Sequence, residues 1–118
     1  MVKSVEERRT SSTMMKLMTC LKVLQTVDPR MQLQTAMVFL TVSEFGPCNM
    51  SNLRTTCGLS GASVSRNCAS LGKIHRHGKA GFGLIKAYED VMDRKQKIVE
   101  LTPKGENLRQ LINDAMER

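Results

Sequence analysis

A chain of 118 residues holds about one domain's worth of core. Its 41% hydrophobic and 25% charged residues exclude a disordered coil, and apolar runs as short as Ala36–Leu40 exclude a membrane span. Eighteen Lys and Arg against 11 Asp and Glu give a net charge of +7, while one Tyr, three Phe and no Trp argue against a single-strand binder built on aromatic platforms.

The first segment, 1–12, is polar and carries Glu6, Glu7, Arg8 and Arg9 without an apolar stretch. It reads as a flexible arm rather than a secretory signal, which places the chain in the cytoplasm. Cys20, Cys48, Cys57 and Cys68 form no Cys-x-x-Cys pair and are expected to be reduced and mostly buried. Met14, Leu17, Met18, Leu21 and Leu24 recur at helical spacing and predict an amphipathic helix over about 13–27. Asp28-Pro29 ends that helix and starts another, because Pro lacks only an N–H that the first helical position leaves unpaired. Leu33, Met37 and Leu40, joined by Ala36 and Phe39, form its apolar stripe, and Gly46-Pro47 closes it.

A short helix follows, with Asn49 as N-cap and Cys48 and Leu53 as a hydrophobic staple, ending at Gly58. Ser60 caps a second helix over about 61–71. Val64, Cys68 and Leu71 share its inner face, while Ala62, Ser63, Ser65, Arg66, Ala69 and Ser70 point outward. Two short helices joined through Gly match a helix-turn-helix, and small polar residues with one Arg suit close approach to a groove. The segment 72–82, rich in Gly and basic residues, reads as a loop. Residues 84–89 and 96–101 alternate as a hairpin with a polar tip, and Thr102-Pro103 opens a closing helix with Leu108, Leu111, Ile112 and Ala115 on its stripe. The fold class is therefore mainly α with a two-stranded β-wing. In this winged helix-turn-helix over 13–118, the recognition helix is about 61–71, the wing about 84–101 and the C-terminal helix about 103–116.

Charge is distributed unevenly along this frame. No acid occurs between Glu44 and Glu89, while Arg54, Arg66, Lys73, Arg76, Lys79 and Lys86 do. Such a stretch is the footprint of a polyanion site, though a solvated basic face would look the same. Lys73, Arg76 and Lys79 make the 72–82 loop a candidate clamp on a nucleic-acid backbone.

The residues also resemble a known family. Leu53, Cys57-Gly58-Leu59-Ser60, Ser63-Val64-Ser65-Arg66 and Leu71 are similar to the helix-turn-helix core of the MarR family of bacterial transcriptional regulators. Gly83-Leu84-Ile85 resembles the start of that family's wing. Asp93-Arg94, Lys97 and Leu101-Thr102-Pro103-Lys104-Gly105 resemble its wing tip and the entry to its closing helix. The resemblance covers roughly 31–112 and implies a dimer that sets one recognition helix per subunit into successive major grooves of double-stranded DNA. It places Ser63, Ser65 and Arg66 near bases or phosphates, with Asn67 and Ser70 at the edge. It places Arg94 at the minor groove, with Lys95 and Lys97 behind it. The terminal helices would pair two subunits through Leu17, Leu21, Leu108, Leu111 and Ile112. Two departures stand out: Arg54 occupies a position where such motifs favour a small residue, and the stretch from Leu71 to Gly83 is longer than usual.

Other chemistries find little support. Gly72 and Gly78-Lys79 are spaced one residue too widely for a P-loop, and Ala80 stands where its Ser or Thr belongs. His75 and His77 lack a companion Cys pair or carboxylate cluster, so no metal is expected. Carboxylates scatter over helix ends and the wing tip, and neither His has an orienting acid. The chain is read as a non-enzyme without cofactor. Cys48, Cys57 and Cys68 are better read as small core residues than as redox sensors. Nine Met residues fill core or helix interfaces, or line the pocket of an unspecified small-molecule effector. The function this composes is a sequence-specific, dimeric DNA-binding transcriptional regulator acting as a repressor. Two alternatives remain open: a structural or partition-type DNA-binding protein of a plasmid or virus with weak sequence preference, and a winged-helix protein-interaction module.

Overall fold

The computed structural model describes residues 12–73 and 80–117. Among the described residues, five helices and three short strands follow in order. They are α1 (Thr13–Gln25), α2 (Leu33–Phe45), β1 (Cys48–Asn49), α3 (Met50–Cys57), α4 (Gly61–Leu71), β2 (Ile85–Glu89), β3 (Lys97–Leu101) and α5 (Pro103–Glu117). The expected arm, up to residue 11, lies outside the described residues, as do Arg76, Lys79, His75 and His77 of the basic loop. No described helix is long and apolar enough to cross a membrane.

The junction between α1 and α2 differs from expectation. Pro29 does not open α2. Asp28 Oδ1 accepts the Arg30 N–H (3.0 Å) and the Asp28 carbonyl accepts the Met31 N–H (3.1 Å), forming a turn on the Asp side chain. That turn satisfies the local donors, so the helix begins four residues later, at Leu33. The stripe on α2 is also corrected. Leu33, Met37 and Leu40 face outward, whereas Thr35, Ala36, Val38, Phe39, Thr41 and Val42 are buried. This helix is apolar on most of its circumference, so periodicity alone does not choose its inner face.

The helix-turn-helix is built by local capping. Asn49 Oδ1 accepts the Asn52 N–H (2.8 Å) while Asn52 Oδ1 accepts the Asn49 N–H (3.1 Å), a reciprocal cap on α3. Gly58 ends α3 at φ 66°, a left-handed conformation that other residues adopt only at a cost. The Ser60 hydroxyl oxygen then accepts the Ser63 N–H (3.1 Å) and starts α4. Arg54, out of place for the motif, is exposed, and its side chain runs past Gly61, where even an added Cβ would meet it only at van der Waals distance.

The sheet has three strands rather than two, in the order β1-β3-β2 and antiparallel throughout. β1 pairs Cys48 with Val99 and Asn49 with Ile98; two residues are too few to show alternation in a sequence. The Asn49 side chain also donates to Gln96 Oε1 (3.0 Å), fastening the start of α3 to the tip end of the wing.

Residues 81–84 run back along 70–73, with the Phe82, Gly83 and Leu84 N–H groups donating to the carbonyls of Ser70, Gly72 and Leu71. The Thr102-Pro103-Lys104-Gly105 motif has a clear physical basis. Thr102 Oγ1 accepts the Gly105 N–H (3.1 Å) and donates to the Gly83 carbonyl (2.6 Å), so one hydroxyl caps α5 and ties it to the wing's entry. A Cβ on Gly105 would collide with the Leu84 carbonyl, which leaves only glycine at that position. Phe39, Leu53, Val64, Leu71, Leu84 and Val99 fill the core where α2, α3, α4 and the sheet meet.

Candidate nucleic-acid interface

Angle around the α4 axis, rather than polarity, decides which residues face outward. Val64, Cys68 and Leu71 point into the core, and at 100° per residue Asn67 falls beside them. Ser63 and Asn67 are accordingly buried, each 6% exposed. The Ser63 hydroxyl donates to Gln34 Oε1 (2.9 Å). Asn67 Nδ2 donates to the Ser63 carbonyl (2.9 Å), and Asn67 Oδ1 accepts the Thr35 hydroxyl (2.7 Å). This network bolts α4 to α2 and leaves Ser63 and Asn67, both expected at the contact surface, buried against α2. Ser65 and Arg66 stay exposed, and Ser70 is half-buried with its hydroxyl donating to the Arg66 carbonyl (3.2 Å).

Beside this helix lies a groove of about 540 Å³ between α4 and the wing. Ser65 and Ala69 line one wall, Lys86 and Lys97 the other, and Lys73 stands at its α4 end. A neighbouring groove of about 390 Å³ brings Ser65 against Lys95, Gln96 and Lys97. The expected cations Lys73, Lys95 and Lys97 thus converge on Ser65. Lys86, absent from the expected contact set, joins them. Its charge is shared with Glu100 (3.2 Å), its cross-strand partner in the β2–β3 register. Register was the missing signal, because Lys86 belongs to the acid-free stretch in sequence but is balanced by an acid from beyond it.

The hairpin carries Arg94 and Lys95 to its exposed tip. The tip is not uniformly polar as expected, since Val91 and Met92 are 90% and 92% exposed. Four hydrogen bonds define it. The Asp90 N–H donates to the Gln96 carbonyl (2.9 Å) and the Gln96 N–H to the Asp93 carbonyl (3.0 Å). Asp90 Oδ1 accepts the Met92 N–H (2.9 Å), and Asp93 Oδ1 accepts the Lys95 N–H (3.1 Å).

The thiols sit beneath this surface. Burial, reinforced by the neighbouring Cys48 and Cys57, pushes the Cys68 thiol up to about 11, and burial followed by Cys57 raises Cys48. Such thiols hold little thiolate near neutrality and are poor nucleophiles. Of the expected dimer residues, Leu17, Leu21 and Leu111 are exposed. Leu108 is corrected to a core residue of its own chain, and Ile112 packs partly against that core.

No family model matches the sequence, and no curated protein matches it. Solved structures do. The transcriptional regulator Tm0710 from Thermotoga maritima is similar over 95% of this chain and 72% of its own, with a TM-score of 0.71 and 19% identity. A point mutant of MarR from E. coli matches over 100% of this chain and 79% of its own, at TM-score 0.65 and 11% identity. This chain has the winged-helix fold of the MarR-type regulators. A third similar structure, reduced AbfR bound to DNA, covers 95% of this chain and 75% of its own at TM-score 0.62 and 16% identity.

Proposed function

We propose that the chain is a sequence-specific, double-stranded DNA-binding transcriptional regulator that works as a homodimer and represses by occupying its site. The observation that carries this reading is the exposure of Ser65 and Arg66 on α4 beside a groove lined by Lys73, Lys86 and Lys97. In this reading α4 enters the major groove, where the Arg66 guanidinium donates to the O6 and N7 of a guanine. Lys73 and Lys97 neutralise phosphates along the strand that passes between α4 and the wing, and Arg94 and Lys95 reach the flanking minor groove. Arg76 and Lys79 extend the backbone contact. That reduced AbfR, a protein of similar fold, has been solved bound to DNA supports the DNA-binding reading. The chain acts by binding rather than by catalysis.

Leu17, Leu21 and Leu111, joined by Met14 and Met18, supply an exposed apolar strip suited to a second copy. Two-fold symmetry then requires a roughly palindromic site with half-sites about 34 Å apart.

Selection of bound duplexes from a random library at physiological salt tests the proposal. Enrichment of an inverted repeat is expected. Arg66→Ala should then reduce discrimination at one base position by about 1–3 kcal/mol. Retention without enrichment overturns sequence specificity in favour of a structural DNA-binding protein. No retention of any duplex overturns the DNA reading and points to a protein partner.

A further inference from the structure

Arg54 stands where a helix-turn-helix favours a small residue, and packing within the chain does not account for its charge. It lies in the last turn of α3 and is exposed. Its side chain leaves that helix and crosses to the start of α4. There Cδ, Nε and Cζ come 3.8–3.9 Å from where a Cβ on Gly61 would stand. Among the described residues, no carboxylate pairs with the guanidinium and no carbonyl accepts from it.

Two observations place this cation at the mouth of a groove. Gly61, over which the side chain lies, lines the groove of about 390 Å³, and so does Ser51, one helical turn before Arg54 on α3. That groove meets the larger one, of about 540 Å³, at Ser65 and Lys97, which line both. Together they run along α4 from Lys73 at its end to Gly61 at its start. No carboxylate lines either groove. The acids of the wing tip stay outside, where Asp90 and Asp93 each accept a backbone N–H of the hairpin turn. Lys73 stands at one end, Lys95 and Lys97 along the wing wall, and Arg54 at the other end. A trough lined by cations along its whole length suits a row of anions rather than a single one.

We infer that Arg54 is a phosphate-contact residue, closing a continuous track for one strand of the duplex that runs from Lys73 past Lys97 to the start of α4. The inference rests on the DNA-binding reading above and adds to it a contact from outside α4 and the wing. An arginine suits this end of the track, because its planar fork donates two hydrogen bonds to one phosphate where a lysine offers a point charge. Contact with Gly61 already restrains the side chain, so less freedom is lost when the phosphate arrives. Phosphates held at both ends of the track fix where α4 sits along the duplex, and so which base meets Arg66. Arg54 thus contributes affinity and register, while Arg66 reads sequence.

The test uses the full chain and a duplex retained by the library selection. Affinity is measured from about 50 to 200 mM salt for the wild type, Arg54→Ala and Arg54→Lys. The duplex is also made with one neutral methylphosphonate at each backbone position in turn. Arg54→Ala is expected to bind less tightly, select the same bases and flatten the salt slope by about 0.9. Its affinity then falls about threefold less than the wild type's over that range. One methylphosphonate per half-site should weaken the wild type and leave Arg54→Ala unaffected, and Arg54→Lys should restore most of the slope. A merely structural role would lower the urea midpoint and leave the slope and the methylphosphonate pattern as in the wild type. That result overturns the assignment, as does wild-type binding by Arg54→Ala or a change in the bases it selects. In each of those cases the DNA-binding reading stands. Failure of the wild type to bind any duplex overturns both.

Discussion

Beneath α3 and α4, Phe39, Leu53, Leu71, Leu84 and Val99 are fully enclosed; along α1 and α5, Met14, Leu17, Met18, Leu21 and Leu111 stand about half in water. Both sets come from ordinary amphipathic or apolar helices, so composition does not separate them. Partners do. The inner faces of α2, α3 and α4 and the sheet cover one another, with Leu24 of α1 and Leu108 of α5 joining the edge of that core. Among the described residues, nothing covers the outer faces of α1 and α5. The first region finishes its core alone, while the second presents an apolar strip of the kind that folded proteins reserve for association.

The sharpest test of this contrast is deletion within the enclosed set. Leu53→Ala removes most of a side chain that is 0% exposed and leaves a cavity in the core it shares with Phe39, Leu71 and Val99. The expected loss is about 2–5 kcal/mol in urea unfolding. A smaller loss would mean that the helix-turn-helix is less tightly assembled than its burial implies.

The same enclosure sets a pH dependence. Cys68 ionises at about 11 in the folded chain against 9.0 ordinarily, chiefly because burial disfavours the thiolate. Between those values the unfolded chain binds fewer protons than the folded one, so stability falls as pH rises. It is fully present below about pH 9. Cys68 accounts for about 2–3 kcal/mol of loss by pH 11. Cys68→Ala should show a correspondingly flatter decline in its urea midpoint over this range, and a decline as steep as the wild type's would refute the burial account.

Asn67 probes the boundary between the buried and exposed faces of α4. Asn67→Ala strands the Thr35 hydroxyl, a buried group whose donation to Asn67 spans 2.7 Å. A loss of about 1–3 kcal/mol in stability is expected, with the selected DNA sequence unchanged. An altered sequence preference at intact stability would restore Asn67 to the contact surface.

Much of this architecture is legible in the sequence wherever a local interaction decides it. Asn49, Gly58, Ser60 and Thr102 mark helix boundaries because their caps are made within three or four residues. The wing follows from alternation, although its tip carries the exposed Val91 and Met92 where a polar turn is expected. Features set by distant partners are less legible. β1 exists because Cys48 and Asn49 lie beside Val99 and Ile98, some fifty residues away. The inner face of α2 is chosen by α3 and α4 from a helix that is apolar nearly all round. Asn67 resembles a surface residue until Thr35 and Ser63 are placed beside it. The cations of the candidate interface were identifiable as a group, but the pairing of Lys86 with Glu100 needed the strand register.

The last test concerns the open strip and asks for a small effect on the folded chain with a large one on assembly. Leu17→Ser/Leu111→Ser alters two side chains that are 50% and 54% exposed, so each contributes little within one chain. The stability of the monomer should move by no more than about 0.5 kcal/mol for each position. If two copies pair through α1 and α5 as proposed, both substitutions recur across the two-fold axis and four polar groups enter one apolar contact. Burying hydroxyls without partners disfavours that contact, and repetition by symmetry doubles the effect. Sedimentation should then show the wild type as a dimer and the variant as a monomer, and the variant should lose cooperative binding to the paired half-sites. A variant that still dimerises would move the interface elsewhere, and the exposed Leu33 and Met37 on the outer face of α2 would be the next surface to alter.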